Sequence, residues 1–161
     1  FGVETSNNDI LNATGKALDL NTVHAVVEGC RRLGIRTIAS FVIGLPGETH
    51  QTLQESLRFS RALNPTFAQY HRLQAHRHNE RWSEVGTFED SWVNRSASFN
   101  GNSYIPNGFT NRSLQRYLGY AYLRFYTRPA KVLELVQQIQ SMDDLRRMGD
   151  GVRSIGQHIF H

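Results

Sequence analysis

Apolar residues recur along this chain in two patterns, short strand-like segments and longer stripes with helical spacing. The short segments predict three strands, Phe1–Glu4, Arg36–Ile43 and Phe67–Leu73. The stripes predict helices at Asp9–Ala13, Leu20–Leu33, His50–Leu63, Asn111–Tyr126 and Ala130–Ser141, with shorter pieces at Asp143–Met148 and Val152–Phe160. Strands that alternate with helices indicate an α/β fold built on a parallel sheet.

The predicted helices begin at residues whose side chains can accept hydrogen bonds from a first turn. Asp19, Thr49 and Thr110 each stand directly before an apolar stripe and are predicted N-caps. Gly34 follows the stripe of the second helix and is expected to end it in the left-handed conformation.

The second strand and the turn after it, Ile35–Thr49, form the most distinctive stretch of the sequence. Its near-continuous hydrophobicity predicts a strand buried on both faces, as in parallel sheets covered by helices. Ligands of such sheets bind at the carboxyl ends of the strands, so Gly44–Glu48 is the predicted binding loop. The loop matches neither a Walker motif nor a dinucleotide-binding turn, and an ordinary strand-to-helix connection is the alternative interpretation.

The chain divides into three regions by pattern. Residues 1–73 carry the alternating strands and helices, and residues 110–161 are helical throughout. Residues 74–109 lose all periodicity, contain both tryptophans and are predicted to be an irregular connection.

Composition limits the classes of protein and partner. The formal net charge of +4 permits contact with nucleic acid without implying it, and nucleic acid is not an expected partner. The sequence has no apolar run of about 18 residues, so no membrane partner is expected. Its single cysteine, Cys30, excludes an internal disulfide and fits a cytoplasmic protein.

Three stretches together resemble the radical S-adenosylmethionine (radical SAM) enzymes, in the branch that often carries an upstream cobalamin-binding domain. They are Gly2–Thr5, Phe41–Thr49 and Leu123–Pro129. The resemblance implies that residues 1–73 are the second part of a (β/α) barrel, a partial barrel with three parallel strands, followed by a C-terminal all-α tail. It also implies an N-terminal half of the same protein, absent here, as the main partner.

The resemblance implies two cofactors, S-adenosylmethionine and a [4Fe–4S] cluster, with 5′-deoxyadenosyl-radical chemistry on a small-molecule substrate. The cluster of this family is held by three cysteines in a C-x₃-C-x₂-C loop. A chain with one cysteine cannot supply them, so the cluster ligands are expected outside it. No catalytic residue and no metal ligand is therefore predicted within the chain, and the isolated chain is expected to be inactive.

The family pattern implies cofactor-binding residues at the ends of all three strands. Glu4 corresponds to the residue that contacts the ribose, and Lys16 to a basic residue that pairs with the methionyl carboxylate. Ser40 and Val42 share one strand face, near the ribose and the adenine respectively. Gly44 is expected to let the backbone approach the cofactor, and Tyr70, or its neighbours Gln69 and His71, to complete the adenine side.

Two functions follow as hypotheses. The first is the C-terminal portion of a radical SAM enzyme, supplying part of the cofactor pocket and part of the substrate wall. The alternative is a non-catalytic α/β module that binds nucleotide or nucleic acid through Gly44–Glu48 and the basic stretch 71–82. In either case the unpaired edge of the first strand predicts that the isolated chain self-associates.

Overall fold

We analysed a computed structural model, which describes residues 1–74, 80–88 and 104–137 and the single positions 139, 141, 143, 146 and 149. The strands are β1 (Gly2–Glu4), β2 (Ile38–Ile43), β3 (Phe67–Arg72), β4 (Gly86–Phe88) and β5 (Tyr104–Pro106). The helices are α1 (Asn8–Ala13), α2 (Leu20–Arg32), α3 (His50–Leu63), α4 (Glu80–Ser83), α5 (Asn111–Tyr126) and α6 (Pro129–Gln137). None of these helices has the length and apolarity needed to cross a membrane.

Strands β1, β2 and β3 form one parallel sheet in that order, which confirms the predicted α/β class with three parallel strands. Gly2 lies opposite Ser40 and Ser40 opposite Gln69, but the register of β1 against β2 shifts between Gly2 and Glu4, so that Glu4 lies opposite Phe41. Burial alternates along β2, where Ala39, Phe41 and Ile43 are buried and the residues between them are not. The prediction that β2 is buried on both faces is therefore wrong for the described chain, because its helices cover only one face.

The core lies between that covered face and helices α2, α3 and α5. Val3, Ala39 and Phe41 point into it from the sheet, and Leu53 and Leu118 from the helices. These side chains are at most 3% exposed. Burial of apolar area on this scale is the main stabilising term of a small α/β sheet.

Helix α5 closes the outer edge of β3 with two tyrosine hydroxyls. Tyr122 accepts a hydrogen bond from the N–H of Tyr70 and donates one to its carbonyl, at 3.2 and 3.1 Å. Tyr126 does the same at Ala68, at 3.1 and 2.9 Å. Each hydroxyl thus satisfies both backbone groups that a further strand would have used. The opposite edge, on β1, has no strand beside it among the described residues, and self-association there stays a prediction.

Three cations bind the carboxyl end of α3, one from α2, one from the junction between α5 and α6, and one from α6. Arg31 donates to the carbonyls of Leu63 and Asn64, at 3.1 and 2.9 Å. Arg128 donates to the carbonyl of Arg61 at 2.9 Å, and the buried Lys131 donates to the carbonyl of Pro65 at 2.8 Å. Because the last carbonyls of a helix carry partial negative charge, these contacts stabilise the helix end and tie α2 and α6 to it.

The region predicted to be an irregular connection contains three regular elements. Helix α4 lies beside β4, and β4 pairs with β5 in antiparallel fashion around the buried Tyr104. The hydroxyl of Tyr104 donates to Trp82 O at 3.1 Å. Three-residue strands are too short to give a periodic signal, which explains why the sequence missed them. The predicted helix Val152–Phe160, and most of Asp143–Met148, lie outside the described residues.

We expect Tyr122→Phe to destabilise the fold by about 1–3 kcal/mol, because the N–H and carbonyl of Tyr70 lose their only hydrogen-bond partner at this edge. Urea denaturation measures the change. Tyr120→Phe is the matched control, since Tyr120 lies on the same helix with its side chain exposed. Equal stability of the two variants would contradict a role for the Tyr122 hydroxyl in closing the edge.

Candidate functional site

The sheet face that carries no helix among the described residues forms the candidate site. Gly2, Ser40 and Gln69 stand in one row across the three strands, and Val42 and His71 form the next row towards the carboxyl ends. We call these five residues the open face. The Ser40 hydroxyl donates to Gln69 Oε1 at 3.4 Å, so a hydroxyl and an amide already meet between β2 and β3. The face offers polar groups at its centre and an apolar side chain, Val42, beside them.

An ion pair lies at the β1 side of the open face. Lys16 Nζ is 2.6 Å from Glu4 Oε1, and about 30% of each side chain is exposed, 32% for Lys16 and 28% for Glu4. A β-carbon placed on Gly2 would lie 2.7 Å from Glu4 Oε1 and 2.9 Å from Lys16 Nζ, so the pair packs directly over Gly2. The two charges that the sequence placed twelve residues apart therefore meet at one point.

Glu4 adopts the left-handed backbone conformation, with φ of 68°. The N–H of Thr5 donates to Val3 O at 2.9 Å, which closes a tight three-residue turn around Glu4. A non-glycine residue in this region costs about 1–3 kcal/mol, and such strain tends to persist where the surrounding structure fixes it. Here the turn directs the Glu4 carboxylate back over the open face.

A buried hydroxyl network holds that strained turn in place. Thr5 is fully buried, and its Oγ1 lies 3.0 Å from Ser56 Oγ on α3. The same Ser56 oxygen accepts a hydrogen bond from the backbone N–H of Ser6 at 3.0 Å. The two residues that follow Glu4 are thus fixed to α3.

Of the residues that the family pattern implied, Glu4, Lys16, Ser40 and Val42 lie on or beside the open face. Tyr70 does not, because its side chain points to the covered face, where its hydroxyl lies 2.6 Å from Ser60 Oγ. Its ring stacks on Phe41 at 5.6 Å, and burial raises its pKa. The neighbours named as alternatives, Gln69 and His71, occupy the open face instead.

Gly44 has a backbone conformation that favours glycine, and the atoms nearest to its missing side chain belong to this chain. Its φ is +92°, and the direction that a side chain would take leads to Leu114 Cδ1 at 3.5 Å and Pro106 Cδ at 3.9 Å. Gly44, Leu45 and Pro46 are buried. The structure therefore does not bring Gly44 to the open face, and the predicted binding loop serves to join β2, β5 and α5.

Glu48 is a residue whose role the sequence did not predict. Its carboxylate turns back into the loop and accepts hydrogen bonds from the N–H groups of Gly44 and Leu45, at 2.5 and 3.1 Å. The side chain is buried, and this burial raises the pKa of Glu48 to about 8 although both backbone hydrogen bonds lower it. The sequence did contain a signal for this role. Glu48 stands four residues after Gly44, and a carboxylate at that spacing can accept hydrogen bonds from the free N–H groups of the turn.

The second carboxylate oxygen of Glu48 has no hydrogen-bond partner among the described residues. The same is true of the hydroxyl of Tyr117 on α5, which is also buried. Burial raises the pKa of Tyr117, and the nearby charge of Glu48 raises it further. The loop thus holds a carboxyl group in an environment that favours its neutral form.

The nucleic-acid interpretation gains no site among the described residues. No group of three or more potential metal ligands occurs among the described residues. Cys30 lies on α2 and is half-buried. Of the basic stretch 71–82, residues 75–79 lie outside the described ranges, and the ring of Trp82 packs against Tyr104 at 5.7 Å.

We expect stability to fall as the pH rises from about 4.5 to about 8, because native Glu48 keeps its proton in this window while the unfolded chain releases it. The stabilisation by protonated Glu48 is fully present below 4.5, its pKa in the unfolded chain, and is lost as the pH rises through about 8, its pKa in the folded chain. Between these two values the free energy of unfolding should fall with a slope approaching about 1.4 kcal/mol per pH unit. Glu48→Gln should remove most of this dependence in urea denaturation. Glu55→Gln, on the helix that follows Glu48, is the control, and an unchanged slope in Glu48→Gln would contradict the assignment.

Comparison with known proteins gives one distant relative. Over 140 residues the chain is 26% identical to a protein of Pyrococcus horikoshii described as an uncharacterized methyltransferase. The match covers 83% of this chain and 29% of that protein, so the chain spans less than a third of the relative's length. No protein-family profile matches the chain. The chain is thus similar, at low identity, to part of a methyltransferase.

Proposed function

We propose that this chain is the C-terminal portion of a radical SAM methyltransferase and supplies part of its S-adenosylmethionine pocket. The observation that carries the proposal is the Glu4–Lys16 ion pair, which a strained turn holds over the open face. The methyltransferase relative supports the use of S-adenosylmethionine. The resemblance at Gly2–Thr5, Phe41–Thr49 and Leu123–Pro129 supports the radical SAM class.

The side chains of the open face fit the chemistry of this cofactor. A carboxylate can accept two hydrogen bonds from a ribose diol, and an ammonium group can pair with the methionyl carboxylate. Glu4 and Lys16 provide this combination at one place, with Ser40 and Gln69 in the adjacent row and Val42 as the apolar surface for a base. When bound in the complete enzyme, S-adenosylmethionine supplies the reactive group, and this chain binds and orients it.

The chain's own residues do not fit an iron–sulfur cluster. The sequence has one cysteine, and Cys30 lies on α2, behind the covered face of the sheet. Under the proposal, the cluster ligands belong to the part of the protein that would complete the barrel against β1. The reacting substrate would contact the open face beside that part. Cobalamin stays a prediction from the resemblance, as do the substrate and the cytoplasmic location.

The alternative, a non-catalytic nucleotide-binding module, would use the same open face without redox chemistry. The polar row of Ser40 and Gln69 is compatible with either function. In the loop Gly44–Glu48, which the module was expected to use, Gly44 packs against Leu114 and Pro106. The similarity to part of a methyltransferase favours the enzyme over the module.

In the full-length protein to which this chain is proposed to belong, Glu4→Ala should weaken S-adenosylmethionine binding about ten- to a hundredfold. A hydrogen bond to a charged group contributes roughly 1.5–3 kcal/mol, which corresponds to that factor. Isothermal titration calorimetry measures the affinity for S-adenosylmethionine. A parallel titration with adenosine triphosphate tests the alternative function. Tight binding of adenosine triphosphate alone would favour the module.

The control for Glu4→Ala is Glu28→Ala, which removes a carboxylate that pairs with Arg31 on the surface of α2. Its affinity should equal that of the native protein. Equal affinities for both variants and the native protein would remove Glu4 from the site.

We also expect that anaerobic treatment of the isolated chain with iron and sulfide gives no visible absorption band of a thiolate-ligated cluster. The physical reason is that three thiolates are needed and the chain has one. The spectrum of Cys30→Ser should match that of the native chain. A stoichiometric band that Cys30→Ser abolishes would contradict the proposal that the cluster ligands lie elsewhere.

A further inference from the structure

Gly2 is unusual among the residues of the sheet. A glycine inside a strand forfeits side-chain packing and restricts the chain less than other residues do, and it often marks a bulge or a close approach by another group. The pairing of β1 with β2 shifts in register between Gly2 and Glu4. The backbone of Gly2 does not itself require glycine, because its φ lies outside the left-handed region. What a side chain at Gly2 would lack is space.

The space above Gly2 is filled by the ion pair. A β-carbon there would lie 2.7 Å from Glu4 Oε1, 2.9 Å from Lys16 Nζ and 3.7 Å from the Glu4 carboxyl carbon. The first two distances are shorter than real β-carbon contacts. Both atoms are at the ends of flexible side chains, so a methyl group at Gly2 would displace the charges while leaving the backbone in place.

We propose that Gly2 is a positioning residue: its missing side chain leaves the room in which Glu4 and Lys16 pair on the open face. The ion pair cannot move to another position on the face, because the turn from Val3 to Thr5 fixes the backbone of Glu4. The inference rests on the proposed function for its effect on cofactor binding. The effect on the ion pair itself is independent of that function.

Lysine reactivity tests the ion pair without any ligand. The sequence has two lysines, and the buried Lys131 serves as an internal reference for Lys16. In Gly2→Ala, acylation of Lys16 by an amine-reactive reagent should become about two- to fivefold faster, the factor expected for release of a partly exposed ion pair. Gly29→Ala is the matched control, since a β-carbon at Gly29 meets nothing within 4 Å. Peptide mass spectrometry measures both rates.

Calorimetry then tests the consequence for binding in the full-length protein. Gly2→Ala should weaken S-adenosylmethionine binding by at least about fivefold, and it should add little in a Glu4→Ala background, because the pair is already lost there. A full additional loss in that background would overturn the proposal, since Gly2 would then act independently of Glu4.

The remaining outcomes are also decisive. An unchanged Lys16 rate in a folded Gly2→Ala chain overturns the proposal. Another outcome is that Lys16 is acylated faster in Gly2→Ala while the native full-length protein binds no S-adenosylmethionine. This pair of results supports the role of Gly2 and contradicts the proposed function. If Gly2→Ala fails to fold, recovery of folding in Gly2→Ala with Glu4→Ala supports the proposal, and continued failure overturns it.

Discussion

The contact between α5 and the edge of β3 is the constraint on which the described structure depends. The hydroxyls of Tyr122 and Tyr126 replace a neighbouring strand at the edge of β3. These hydrogen bonds fix the position of α5 along the strand. In this position of α5, Leu114 lies against Gly44 and Tyr117 lies near Glu48. Arg128, just beyond α5, donates to the carbonyl of Arg61 in the last turn of α3. One helix therefore fixes the edge of the sheet, the loop after β2 and the carboxyl end of α3.

The loop after β2 shows how a glycine-rich turn at a strand end can be occupied by the protein itself. Gly44 accepts the side chains of Leu114 and Pro106, and the N–H groups that could have bound an anion are taken by Glu48. A bound anion would have to displace a buried carboxyl group from two hydrogen bonds. The turn is thus part of the core, and the polar chemistry lies on the other side of the sheet.

The sequence predicted what depends on local pattern. The N-caps at Asp19, Thr49 and Thr110 are confirmed, each accepting hydrogen bonds from its first turn, and Gly34 ends α2 with φ of +70°. Contacts between distant residues were not predictable from pattern. The hydroxyls of Tyr122 and Tyr126 lie 52 and 58 positions from their partners, and the helical stripe reports only that α5 packs on something. Likewise, alternation placed Ser40 and Val42 on one face, but only the register of β3 decides that Tyr70 lies on the other.

The candidate site combines features that stability alone does not explain. Glu4 is strained, its carboxylate is partly exposed, and Gly2 beside it forgoes the side chain that a strand would otherwise pack. An exposed ion pair contributes roughly 0–1 kcal/mol, which is no more than the strain of the turn that presents it. Meanwhile the buried Thr5 and Ser56 hydroxyls, which make no contact with the open face, hold the turn from behind. The network at the end of β1 therefore holds the turn that positions the two charges, which is what the proposed cofactor site would require.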